Sequence, residues 1–327
     1  MSTSSPSEAP RRREPEALLR RLEWTALRRL DGLLQGDYRT LFRGFGLDLA
    51  DLREYQAHDD VRHIDWNVTA RTQIPHVRVY NEDREVTAWF LCDLSPSVDF
   101  GSDEVTKRAV LTEFVAVLAR LLTRQGNKVG GILYDGINLF VVPPRGGREH
   151  VLHLVNRVMS NPRLLRAPKT DLGVFLTKAL GVLKRRSLVF AISDFVTAPG
   201  WEKPLSMLAR RHELLAVRLI DALDTMLPDV GVLPFEDSES GEQVLVDTGD
   251  RGFRERFLAE AERNEDQLFA GYAAAGCDVL ELSTGDDLVD AIRRFADLRK
   301  AQRALSGGGA VPEHLTSAFA AIEEAAP

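Results

Sequence analysis

From Arg84 to about residue 304 the chain alternates short apolar runs with longer amphipathic stretches, and this alternation restricts the possible folds more than any other feature. Val86 to Cys92, Lys128 to Tyr134, Leu188 to Ile192, Leu214 to Ile220 and Asp278 to Leu282 are short and largely apolar. They read as strands buried on both faces. Between the first two, Val110, Leu111, Phe114, Val117, Leu118, Leu121 and Leu122 recur at helical spacing up to Gly126, a residue suited to a helix end. Ser102, with Asp103 and Glu104 behind it, reads as the cap of that helix. Further helices are expected at about 147–159, 171–185, 201–211, 250–275 and 286–304. Asn138 to Val142 follows Tyr134 through Asp135-Gly136, a hairpin signal. Strands and helices alternating in this way specify an α/β fold, a doubly wound and mostly parallel sheet covered on both faces.

The flanks differ. Residues 1–15 are rich in Ser, Pro and Arg and read as disordered. From Glu16 to about Gln35, Leu18, Leu19, Leu22, Leu27, Leu30, Leu33 and Leu34 mark an amphipathic helix. Residues 36–84 are dense in charge and suggest short strands and loops. Residues 16–84 are therefore expected to form a small N-terminal helix-plus-strand element, and 85–304 the large domain. Within it, residues 221–249 break the alternation: Pro228, Pro234 and the runs Val232–Phe235 and Gln243–Val246 around Gly241 suggest an inserted, exposed β-hairpin. Gly307-Gly308-Gly309 lies in a tail spanning 305–327.

Composition excludes several functions. The 327 residues carry a formal charge of -7, which argues against general nucleic-acid binding, since neutralising phosphates needs a basic face. No run approaches the roughly 20 apolar residues of a membrane span. Arg11-Arg12-Arg13 has no apolar segment behind it that would make a signal peptide. Cys92 and Cys277 fall in apolar runs and read as buried structural thiols. A cytoplasmic protein fits these features.

In open α/β sheets, ligands sit beyond the carboxyl ends of the strands, where the winding direction reverses. Asp93 and Asp194 fall at strand ends. In Asp93-Leu94-Ser95-Pro96-Ser97, a strand delivers a carboxylate into a loop that then offers two hydroxyls. Thr170 lies before the next helix, where its bland reading is an N-cap; for Asp194 that reading is a turn or cap residue. Hard oxygen donors of this kind suit Mg²⁺, or Mn²⁺.

In this order on a βα alternation, D-x-S-x-S, a loop threonine and a strand-end aspartate resemble the metal-ion-dependent adhesion site (MIDAS) of von Willebrand factor A domains. The resemblance covers roughly residues 85–300. It implies that Asp93, Ser95, Ser97, Thr170 and Asp194 hold one metal ion, directly or through water, with a position open for a partner's carboxylate. A second match lies upstream. Arg53 to Arg71, containing R-E-Y-Q-A-H-D-D-V-R-H-I-D-W-N-V-T-A-R, is similar to the signature of the DUF58 family, with His58 where the family has Gly. Leu94 to Gly101 resembles that family's form of the metal loop, with Val98 in place of Met. The resemblance implies a bacterial or archaeal protein with a MoxR-type AAA+ ATPase as partner.

Asp59, Asp60, Arg62, Asp65 and Arg71 beside Tyr55 and Trp66 admit two readings. One is a docking surface; the preferred one is an ion-pair network with an aromatic anchor. His58, His63 and His76 match no ligand spacing and read as surface histidines. Lys184-Arg185-Arg186 reads as the basic end of a helix, and Asp286-Asp287 as the acidic start of another.

The expected function is non-enzymatic, metal-dependent protein binding of an adaptor or chaperone-like kind. The alternatives are a metal-dependent hydrolase or phosphatase, and a structural domain with a vestigial metal site. Ser95 stands where an aspartyl-phosphate-forming enzyme carries its acid, and a serine cannot do that work near neutral pH. The sequence also lacks G-x-x-x-x-G-K-[ST] and a nucleophile elbow partnered by an Asp and a His.

Overall fold

The computed structural model describes residues 13–33, 51–56, 61, 64, 66–79, 86–102, 104–164, 170–236 and 242–305. Of the disorder expected for residues 1–15, residues 1–12 lie outside the described residues, whereas Arg13 to Pro15 are helical and open the first helix. The middle of the charged segment with His58, Asp59, Asp60, Arg62, His63 and Asp65, the turn at Gly241 and the tail from 306 also lie outside the described residues.

The N-terminal helical segment comprises α1 (Arg13–Leu22), a π-helical turn over Glu23–Leu27 and α2 (Arg28–Leu33). A small antiparallel pair follows, β1 (Asp51–Glu54) with β2 (His76–Val79), enclosing α3 (Trp66–Thr72). The large domain then runs β3 (Thr87–Asp93), α4 (Lys107–Arg124), β4 (Lys128–Tyr134), β5 (Leu139–Arg145), α5 (Arg148–Met159), α6 (Leu172–Val182) and β6 (Leu188–Ser193). It continues with α7 (Glu202–Arg211), β7 (Glu213–Ile220), the hairpin β8 (Val232–Glu236) and β9 (Gln243–Asp247), α8 (Arg251–Ala275), β10 (Asp278–Ser283) and α9 (Leu288–Leu305).

Six strands form the central sheet in the order β10-β7-β6-β3-β4-β5, parallel throughout except for β5. From β3 the chain winds outward to β4 and β5, then returns to the other side of β3 for β6, β7 and β10. The reversal lies between β3 and β6, so the fold places its crevice at the carboxyl ends of these two strands. Strand periodicity explains the two faces. Ala88, Phe90 and Cys92 join one core with α1, α4, α5 and α9, while Trp89 and Leu91 join the other with α6, α7 and α8. Two glycines mark close approaches or turns: a Cβ on Gly131 would lie 2.6 Å from Leu154 Cδ1 of α5, and Gly276 ends α8 at φ 67°.

The N-terminal helix belongs to the large core. Leu19, Leu22, Leu27 and Leu30 are buried in the same cluster as α4 and α9. Arg29 adds ion pairs to Asp287 at 2.8 Å and Asp290 at 3.1 Å, at the start of α9. The small element separated at residue 84 thus contributes apolar surface to the domain that follows it. The expected hairpin is present: β8 and β9 pair antiparallel, and Val232 and Leu245 are 61% and 74% exposed.

Local caps depart from expectation. α4 begins at Lys107, and Thr106 caps it by accepting from the Ala109 N–H. Ser102 instead donates through N–H and Oγ to Asp221. The helix expected to 185 ends at Val182, which leaves Lys184-Arg185-Arg186 beyond it. Cys92 is buried in β3, but Cys277 is half-buried and precedes β10; both are free thiols. Among the described residues, no helix is long and apolar enough to cross a membrane.

Candidate metal centre

β3 ends with its last carboxylate held in place. Asp93 Oδ1 accepts the Ser95 N–H at 3.0 Å, and Oδ2 accepts the Ser193 hydroxyl at 2.7 Å. The loop then enters a 3₁₀ turn over Pro96–Asp99, where Pro96 supplies the fixed φ of the first position. This brings Ser95 Oγ within 3.2 Å of Ser97 Oγ. Asp93 and Ser95 are fully buried, and Ser97 is nearly so.

Asp194 leaves the end of the adjacent strand β6. There Phe195 takes a positive φ of 59°, an uncommon conformation for a residue with a side chain. Its ring is fixed by edge contacts to Trp201 at 5.3 Å and Tyr272 at 5.0 Å, between centroids. The sharp turn lets Asp194 Oδ1 accept the Val196 N–H at 3.1 Å. Thr170, also fully buried, is tied to this loop because its carbonyl accepts from Thr197 Oγ1 at 2.8 Å and Ala198 N at 3.1 Å. Asp171, rather than Thr170, caps α6 by accepting the Val174 N–H. The hydrogen bonds therefore join the loops carrying Asp93, Ser95, Ser97, Thr170 and Asp194 at the crevice between β3 and β6.

Two cationic residues complete the surroundings. Lys107, 2% exposed, places Nζ 3.4 Å from Asp194 Oδ2 and 2.8 Å from Asp224 Oδ2. Arg108 clamps the serine loop: its guanidinium donates to the carbonyls of Leu94 at 2.9 Å and Asn161 at 3.2 Å, and Nε lies 2.6 Å from Asp99 Oδ1. Burial, reinforced by the charge of Asp194, pushes the Asp93 carboxyl up to about 6, against the hydrogen bonds from Ser95 and Ser193 that favour the ionised form. Burial pulls the Lys107 ammonium downward, but the carboxylates of Asp194 and Asp224 outweigh it and hold the group above its ordinary range. Burial raises Asp224 despite Lys107. With Asp99 set against Arg108, one ammonium contacts the buried Asp194 and the partly exposed Asp224, and the buried Asp93 stands close enough to Asp194 to feel its charge. Ionised, this group carries an excess of two negative charges, which one divalent cation would balance.

This donor set fits a hard divalent ion. Two carboxylates and three alcohols supply only oxygen, the preference of Mg²⁺. Asp93, Ser95, Ser97, Thr170 and Asp194 are the residues that would hold it. Ser193, Lys107, Arg108 and Asp224 escaped the sequence reading. One signal was available for two of them: Lys107 and Arg108 put positive charge in the first turn of α4, where the helix dipole disfavours it. Such a placement makes sense only beside anions from elsewhere in the fold. Ser193 and Asp224 carry no such local mark.

The upstream segment is only partly described. Tyr55 is half-buried and Trp66 is 70% exposed, so Trp66 is not the expected aromatic anchor among the described residues. His76 Nδ1 lies 3.1 Å from Thr72 Oγ1 and 2.7 Å from the Ile74 carbonyl, a local arrangement within its own turn.

The family described as "Protein of unknown function DUF58" matches residues 51–267. The uncharacterized protein Rv1480 of Mycobacterium tuberculosis is 36% identical over 291 residues, covering 89% of this chain and 91% of that protein. The uncharacterized protein MAV169 of Mycobacterium avium is 31% identical over 166 residues, or 51% of this chain and 97% of its own length. Among solved structures, BatB from Bacteroides thetaiotaomicron is 11% identical with a TM-score of 0.40, covering 67% of this chain and 98% of BatB. The VWA domain of SpRpn10 is 11% identical with a TM-score of 0.36, covering 64% of this chain and 95% of that domain. On the match over residues 51–267 and the kinship along nearly the whole length of the M. tuberculosis protein, this chain belongs to the DUF58 family.

Proposed function

We propose that this protein is a non-enzymatic, metal-dependent binding protein whose Mg²⁺, held by Asp93, Ser95, Ser97, Thr170 and Asp194, accepts a carboxylate from a protein partner. The observation that carries this reading is the convergence of two buried carboxylates on loops rich in buried hydroxyls, with one buried ammonium to offset them. A bound Mg²⁺ would supply a fixed double charge in a partly desolvated crevice, where coordination of an aspartate or glutamate is strong and selective. The partner carried over from the family resemblance is a MoxR-type AAA+ ATPase. A protein working with an ATP-hydrolysing machine belongs in the cytoplasm. An adaptor or chaperone-like role follows, in which this chain grips a client and the ATPase does the work.

Catalysis is not part of the proposal. Ser95, two residues after Asp93, is buried against Ser97 and offers no acid for a phosphoryl-transfer cycle. The contact between Lys107 and Asp194 favours a second reading, a structural domain in which an ammonium has taken over from the metal. Affinity capture separates the two. The full-length protein should retain the ATPase in Mg²⁺ and release it in EDTA, and Asp93→Ala should retain none while keeping its circular dichroism spectrum. Equal capture under all three conditions refutes the metal-dependent mechanism.

A further inference from the structure

Lys107 offsets the charge of the centre but stands outside the set of residues that would hold the metal. Its side chain crosses from the first turn of α4 to the crevice and is 2% exposed, so water screens its charge poorly. Phe100, whose ring centroid lies 5.7 Å from Nζ, closes one side. The ammonium meets Asp224 through both carboxylate oxygens, at 3.0 and 2.8 Å, and Asp194 through one, at 3.4 Å. It is thus shared between a residue of the candidate metal set and a residue outside it.

Asp224 is held by contacts besides its pair with Lys107. It sits in the turn Ala222–Asp224 after β7, where its Oδ2 accepts the Asp221 N–H at 2.8 Å. Asp221 in turn accepts from Leu223 N, Ser102 N and Oγ, and Thr284 Oγ1, all within 3.0 Å. Loops after β3, β7 and β10 therefore meet at this buried carboxylate. They set where Asp224 stands, and so how far Lys107 is drawn from Asp194.

We propose that Lys107 is a tethered internal antagonist of the metal: its ammonium neutralises Asp194 and lowers the affinity of the centre for a divalent cation, while Asp224 relieves this by drawing the ammonium aside. The physical argument is competition of like charges for one carboxylate. A divalent ion at Asp194 faces a positive charge on a buried side chain that cannot swing into solvent without breaking its contacts with Asp224. The 221–224 turn becomes the control point. A contact that shifts it toward β6 weakens the metal, and one that draws it away strengthens the metal.

This inference rests on the metal-binding reading above, and the experiment separates their failures. Mg²⁺ and Mn²⁺ are titrated by calorimetry into the full-length wild type, Asp93→Ala, Lys107→Met, Asp224→Asn and Lys107→Met/Asp224→Asn, with thermal melts in EDTA to establish folding. The expected result is metal affinity about tenfold or more tighter in Lys107→Met, equivalent to 1.4 kcal/mol per tenfold. Asp224→Asn should bind more weakly than wild type, and its effect should shrink once Lys107 is gone. Should Lys107→Met fail to fold, Lys107→Gln, which retains a donor for Asp224 without the charge, carries the same expectation. Wild-type binding that is unchanged or weaker in the neutral variants overturns the antagonist and leaves the metal centre standing. Metal binding absent from wild type, Lys107→Met and Lys107→Gln alike ends both readings.

Discussion

Replacing Asp93 by asparagine removes a buried charge while keeping the shape and one carbonyl acceptor of the side chain. The Asp93 carboxyl is raised from its ordinary 3.8 to about 6 by burial and by Asp194. A group whose folded value lies above its unfolded one favours the folded state when protonated. That stability is complete below about pH 4 and is lost as pH rises through about 6. By about pH 7 the loss approaches 3 kcal/mol, from the 1.36 kcal/mol that each decade of proton affinity represents. Asp93→Asn is neutral throughout, so in EDTA near pH 7 it should be more stable than wild type by up to about 3 kcal/mol. That difference corresponds to roughly 6 °C in Tm, at about 2 °C per kcal/mol for a large domain. Near pH 4 the two proteins should converge. Mg²⁺ at about a thousand times its Kd should reverse the order, because it adds about 4.1 kcal/mol to a native state that binds it. The assay is urea unfolding by circular dichroism across this pH range, with and without Mg²⁺. An asparagine variant no more stable than wild type in EDTA near pH 7, or a difference that ignores pH, would refute the electrostatic account of the site.

Three further substitutions probe its supports. Arg108→Ala leaves Asp99 and the Leu94 carbonyl without their buried donor and should cost about 3–5 kcal/mol, the usual penalty for stripping one member of a buried charge pair; a loss under about 1 kcal/mol in chemical denaturation would show that the clamp is dispensable. Thr106→Ala should cost about 1 kcal/mol as a lost helix cap, and Ser102→Ala should alter metal affinity through Asp221 more than it alters the stability of α4, which hydrogen exchange of the first α4 amides can resolve.

The sheet was legible because its strands are buried on both sides, which makes β3, β6 and β7 continuous apolar runs that no surface helix would tolerate. Asp93 and Asp194 were legible for the converse reason, as carboxylates at the ends of such runs. What escaped depends on which strands become neighbours. Nothing around Ser193 in sequence says that its hydroxyl will face Asp93, and Asp224 sits in a turn of ordinary polarity. Ser102 illustrates competition between local and distant partners: its neighbours suit a cap, but Asp221 offers it two hydrogen bonds, and the helix starts at Lys107 instead. The N-terminal helix was visible from its leucines, but its partner surface was not, because period alone does not tell a helix which core it joins.

The hydrogen bond from Ser193 to Asp93 spans 100 residues of chain. A nascent polypeptide that has emerged only as far as α6 already owns the aspartate, both serines and the Arg108 clamp, yet lacks Asp194 and the Ser193 hydroxyl that holds Asp93 Oδ2. The closing piece arrives when β6 slots in against β3, since only that ladder carries Asp194 and the Thr197 contact into place. Any ion that needs Asp194 therefore offers nothing to a chain in which β6 has not joined β3, so loading with metal would mark the docking of β6, with β7 and β10 of the sheet still to follow.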